Sequence, residues 1–257
     1  MAFERYIGID YSGAGTPGAA LQGLRVFLAD GASEAGEVFS GTGKYWSRRG
    51  IAEWLVEILL EDRRAIVGID HGFSFPLLYF QQHGVPLDWT SFLEDFQRHW
   101  PTDEDQMSVD FVREGVEGNA AARSGNSKWR RVTEIRSVRA KSVFHFDVPG
   151  SVAKSTHSGL PWLLHVRRNA GQRVHFWPFD GWKFAARKSV IAEVYPRLWS
   201  PNFERGGRNE HQHDAYSIAA WLQLADTNCA LAQYADPQLS GEERRTAEVE
   251  GWILGVG

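Results

Sequence analysis

One cysteine, Cys229, is present in 257 residues. A single thiol excludes internal disulfides and any cysteine-rich zinc site, and it favours a reducing compartment. No stretch approaches the roughly 18 consecutive apolar residues that a membrane span requires. The opening MAFERYIGID is too charged and too short for a signal peptide, so a cytoplasmic chain with no membrane partner is expected. Net positive charge is also missing: 28 Lys and Arg face 32 Asp and Glu, a balance of −4. That excludes a generally basic nucleic-acid coat protein and leaves only local basic patches. The Walker phosphate-binding pattern is absent. What the chain has in plenty is aromatic side chains, with 11 Trp and 15 Phe. The Trp-rich stretches (Trp162, Trp177, Trp182, Trp199) are expected to be packing residues.

Hydrophobic patterning predicts an α/β protein formed as one domain over 1–257. Residues 4–10 (ERYIGID) and 23–30 (GLRVFLAD) read as strands, with a short third strand near 37–40. Ile51, Trp54, Leu55, Ile58 and Leu59 fall at helical spacing between Arg49 and Asp62. Residues 64–70 (RAIVGID) make another buried strand, ending in the same Gly-Ile-Asp as the first. A long insertion over 75–187 is expected to carry mainly helices and loops, with helices near 88–100 and 161–169. Residues 188–194 (KSVIAEV) form a further strand, stopped by Pro196, and 212–226 is the clearest helix.

Gly13-Ala14-Gly15-Thr16-Pro17-Gly18 matches the dinucleotide fingerprint G-x-G-x-x-G. A dinucleotide site needs that loop to open a helix, whose N-terminus holds the pyrophosphate. Here Pro17 interrupts the loop and strand-like residues follow, so the spacing predicts a hairpin and a chance match. The question then moves to Asp10, which the hairpin presents. If the two Gly-Ile-Asp strands are parallel neighbours about 4.8 Å apart, Asp10 and Asp70 project at one sheet edge. Glu193 ends the later strand. Asp214 opens the last helix above an inward stripe of Ile218, Trp221 and Ala225. Each acid alone also reads as a turn former or helix-start carboxylate. Together they would repel one another, and a divalent cation, Mg²⁺ or Mn²⁺, relieves that repulsion.

The element order and the placing of the acids resemble the ribonuclease H-like superfamily. More closely, GIDYSG (8–13), GIDHGFSFP (68–76), WPFDG (177–181), EVYP (193–196), HDAYS (213–217) and EGWILGV (250–256) resemble a prokaryotic family of predicted nucleases catalogued as domain of unknown function 429. The resemblance spans nearly the whole chain. It implies a mixed five-stranded sheet flanked by helices, with the large insertion before the last strand. It further implies a metal-dependent nuclease or phosphodiesterase. In that reading Asp10 bridges two cations, Asp70 or Glu193 completes the shell of one, and Asp214 that of the other. The chemistry implied is in-line attack of water on a phosphodiester.

A basic stretch offers a nucleic-acid contact. Lys128, Arg130, Arg131, Arg136 and Lys141, with Arg123 and Arg139, face a single acid, Glu134. They could track a phosphate backbone while Trp129 stacks on a base, or they could simply form a solvated loop. His213 beside Asp214 reads as an acid or base, as a partner of the acids or as an ordinary residue, His71 after Asp70 likewise, and His211 at the same helix start as ordinary. Lys188 and Arg197 read as salt-bridge partners or phosphate contacts. Two alternatives to a nuclease stay open: a non-catalytic binding protein of the same fold, and an actin-like ATPase or kinase.

Overall fold

A computed structural model describes every residue except Thr42, Val138 and Arg139. In chain order it forms β1 (Arg5–Asp10), β2 (Arg25–Asp30), β3 (Gly36–Val38), α1 (Arg48–Leu60), β4 (Ala65–Asp70), α2 (Leu77–His83), α3 (Trp89–His99), α4 (Val109–Arg113) and α5 (Val132–Arg136). Then follow α6 (Ala153–Ala170), β5 (Val174–Trp177), β6 (Ser189–Glu193), α7 (Glu210–Thr227), α8 (Leu231–Tyr234) and α9 (Gly241–Glu250). The basic residue Arg139 lies outside the described residues.

The strands join in one mixed sheet of order β3-β2-β1-β4-β6-β5. β2 runs antiparallel to both of its neighbours, and β1, β4, β6 and β5 are parallel. The sheet therefore has six strands where five were expected. The extra one, β5, lies inside the segment assigned to helices and loops. Its four residues (VHFW) are all buried. A strand so short, covered on both faces, carries no alternation to betray it.

Alternation along the central strands assigns their faces. Ile7, Ile9, Val67, Ile69 and Ile191 pack beneath α1, α3 and α6. Tyr6, Ile66, Val190 and Ala192 pack with Ile218, Ala219 and Leu222 of α7. Gly8 and Gly68 are register partners at the centre of this second face. A Cβ on Gly8 would stand 2.1 Å from the Ala215 carbonyl oxygen and 2.6 Å from the Ala219 nitrogen. One on Gly68 would stand 2.6 Å from Ile218 Cγ2. The repeated Gly-Ile-Asp is thus a packing device, because only glycine lets the α7 backbone lie directly on the sheet.

At its start, α7 is fixed by a reciprocal capping box between Asn209 and Gln212. At its far end Asp226 accepts from the Ala2 and Phe3 amides and from the Tyr6 hydroxyl. Helix α6 begins at Ala153, well before the expected 161, and runs through Pro161. Proline leaves the His157 carbonyl without its helical donor. The Thr102 hydroxyl replaces it at 2.7 Å.

Replacing Gly8 with Ala should cost about 3 kcal/mol in urea unfolding, because backbone rather than a flexible side chain blocks the new methyl. Gly18→Ala, where a Cβ would meet open space, should stay within about 0.5 kcal/mol of the parent.

Candidate functional site

The first acids are positioned by strand register. Asp10 and Asp70 are direct partners at the carboxyl ends of β1 and β4. Each lies two residues beyond its glycine, so both carboxyl groups share the face that α7 covers. Asp214 sits on the first turn of α7, one turn before the Ile218 that touches both glycines. The charges feel one another. Burial, and then the charges of Asp10, Asp214 and Glu193, push the Asp70 carboxyl well above the usual range. Burial, then Asp10 and Glu210, bring Asp214 to about 6. Asp10 is 7% exposed and also raised by burial, with His211 and Arg25 pulling the other way.

The three are not equally free. His211 Nδ1 lies 2.7 Å from Asp10 Oδ2, and this contact raises the His211 pKa. Among the described residues, Asp70 and Asp214 make no hydrogen bond or ion pair through their carboxyl groups. Arg197 is the cation whose charge reaches both, and its side chain is exposed. Arg25, the register partner of Asp10, is held by Glu37, which also receives Gln212.

Glu193 is a different case. Its register partner is Ile69, not Asp70, so it faces the opposite side of the sheet. Both of its oxygens are taken by Arg131, at 2.7 and 2.5 Å, and the Phe73 amide adds a third bond at 2.9 Å. Arg131, 1% exposed, also binds Glu134 through Nε. The sequence leaves Asp70 and Glu193 competing for one role; register turns Glu193 to the other face and Arg131 occupies both its oxygens, while its charge still reaches Asp70 and the two line one small cavity.

The same network corrects the reading of the basic stretch. Arg131 is a core residue, not a phosphate contact. Arg136 is paired with Glu243, and Arg123 with Asp95. Arg130 donates to the Glu134 and Ala140 carbonyls, and Lys141 to that of Pro149. Trp129, half-buried, makes a T-shaped contact with Phe144 at the margin of the core. Lys128 alone of the six is exposed with no side-chain partner among the described residues. Glu250, from the closing motif, accepts from the Leu77 and Val132 amides and ties the chain end to α2 and α5.

The histidines also divide. His71 is buried between Tyr11 and Phe73 and bonds the Gly72 carbonyl, and burial takes its pKa to about 4. His213 is turned to the Ser200 carbonyl. His211, which the sequence reading treated as ordinary, is the one that reaches an acid. Its spacing three before Asp214 was the available signal. The glycine loop behaves as expected of a hairpin: Ala19 closes a turn on Thr16 and the chain enters β2. Lys188 bonds Gln172 at the other end of β6.

Carboxylate oxygens suit a hard divalent cation. Asp70 and Asp214 are unpaired, and Asp10 keeps one oxygen free of His211. Among the described residues, no group of three or more His, Cys, Asp or Glu side chains is placed to hold a metal ion. No helix among the described residues is long and apolar enough to cross a membrane. No family model, curated protein or solved structure matches the chain.

Two outcomes follow. Arg131→Met should cost about 3–5 kcal/mol in denaturant unfolding, because it strands Glu193 and Glu134 in the core. Asp214 has a folded pKa near 6 against 3.8 unfolded, so the native state holds the extra proton between those values. Its contribution is favourable at low pH and is lost as pH rises from about 4 to 6. Asp214→Asn, melted without divalent cations, should flatten that fall and be more stable than the parent at pH 7.5.

Proposed function

We propose that this chain is a divalent-metal-dependent phosphodiester hydrolase of ribonuclease H-like build that acts on nucleic acid. The observation that carries the reading is the convergence of Asp10, Asp70 and Asp214 on one face at the carboxyl ends of parallel strands. Open α/β sheets bind ligands at that end. The strand order β3-β2-β1-β4, with β2 antiparallel, agrees with the resemblance described above.

In this reading Asp10, Asp70 and Asp214, which do not form a ready three-ligand site, would close on Mg²⁺ or Mn²⁺ as it binds, and Glu193 would not. A cation held there supplies Lewis-acid activation of water and neutralises charge on the phosphate. His211, its proton affinity raised by Asp10, carries a proton beside that carboxyl group. Arg197 offers an exposed positive charge to a substrate phosphate beside the acids. Arg123, Arg130, Arg131 and Arg136 are spent on partners within the fold, so nucleic acid would be held by other groups near the acids.

Mn²⁺ calorimetry on the apo protein tests the cation site. Parent protein should bind, Asp10→Asn and Asp70→Asn should lose binding, and Glu193→Gln should keep it in whatever fraction folds. Equal Mn²⁺ affinity in the parent and Asp10→Asn would sink the reading. A panel of DNA and RNA substrates with Mn²⁺ then separates a nuclease from a non-catalytic binding protein. A melting shift with ATP would favour the kinase alternative.

A further inference from the structure

On the face of the sheet opposite the acids lies a small cavity between α1, α6 and the strands. Its wall is apolar, with Ile51, Leu55, Ile69, Leu163 and Ile191 contributing. Four polar residues interrupt it: Arg48, Tyr11, Trp162 and His71, the last bonded through Nδ1 to the Gly72 carbonyl. All four are more than nine-tenths buried, and three carry a polar atom with no partner among the described residues, namely Arg48 Nε, the Tyr11 hydroxyl and Trp162 Nε1. Buried polar groups are rarely left unmade, since each gives up its hydrogen bonds to water on folding. Three around one cavity point to an occupant.

The chemistry of the three narrows what that occupant is. Arg48 Nε and Trp162 Nε1 can only donate, and the tyrosine hydroxyl can donate. Arg48 is a fully buried cation without a carboxylate. Its remaining nitrogens are spent on the carbonyls of Ser12, Ala14 and Gly15, and burial lowers its pKa. Among the described residues no Asp or Glu lines the cavity. An uncompensated buried charge is costly unless it finds an opposite one. The cavity has room for about one water-sized particle.

We infer that this cavity is a binding site for a small monovalent anion of halide size, held by Arg48, Tyr11 and Trp162. The anion neutralises Arg48 and accepts from all three donors, where a water accepts only two hydrogen bonds. Its place in the chain gives it a consequence. Tyr11 follows Asp10 directly, His71 on the cavity wall follows Asp70, and Arg48 grips the loop that leaves β1. The anion would therefore stiffen the backbone that carries the two acids. This inference does not depend on the hydrolase reading.

Melting the full chain in sodium chloride and in sodium gluconate at matched ionic strength tests it. Chloride should give a saturable rise of a few degrees, reduced in Tyr11→Phe, which removes one donor with little change in volume. Trp162→Phe should reduce it too. Crystals soaked in bromide should give an anomalous peak beside Arg48 Nε. The same chloride effect in parent and Tyr11→Phe, or a bromide soak with no peak in the cavity, would leave the three groups sharing a buried water and overturn the proposal.

Discussion

The backbone of α7 lies directly on the sheet at Gly8, and the Ile218 side chain of that helix seats on Gly68, because neither glycine carries a side chain of its own. Much else hangs on this contact. It lowers the helix until Ile218 touches both strands, and so brings the first turn and Asp214 to the same edge as Asp10 and Asp70. It also sets the height of the far end, where Asp226 gathers the Ala2 and Phe3 amides and the Tyr6 hydroxyl. A bulkier residue at either glycine would lift the helix and part the acids, without touching one of them.

The acids of this protein fall into two electrostatic conditions. Glu193 and Glu134 are buried but matched by Arg131, and Glu250 beside them accepts two backbone amides. Such a network costs much to desolvate and is costly to break, so it fixes one arrangement of the middle segment against β6 and the chain end. Among the described residues Asp70 and Asp214 are left unmatched, with raised proton affinity, beside an Asp10 in contact with His211. Groups held at the cost of mutual repulsion mark the place where the fold's local preferences yield to another requirement.

The two faces of the sheet have correspondingly different characters. Acids gather on the α7 side, while the α1 and α6 side holds an arginine with no acid to meet it. One residue separates them along the chain at both strands, Asp10 from Tyr11 and Asp70 from His71. Arg48 holds the loop that leaves β1 through the Ser12, Ala14 and Gly15 carbonyls.

Much of this was legible in the residues alone. The Gly-Ile-Asp strands, the hairpin after Asp10, the helix over Arg49 to Asp62 and the inward stripe beneath Asp214 follow from local periodicity and turn chemistry, which act over a few residues. Their parallel pairing was inferable from the matched ends. The face of Glu193 was not. In a parallel sheet a slip of one residue exchanges the two faces, and only the pairing of Ile69 with Glu193 decides it. Nor could the basic stretch be judged from composition. Whether an arginine meets phosphate, a glutamate or a carbonyl depends on Glu243, Glu193 and Ala140, distant in sequence or hidden by local geometry. The sequence by itself determined which elements form and where the acids stand along them. Tertiary structure decided which acids share a face and which charges are already spent, because register and long-range pairing are properties of the assembled sheet.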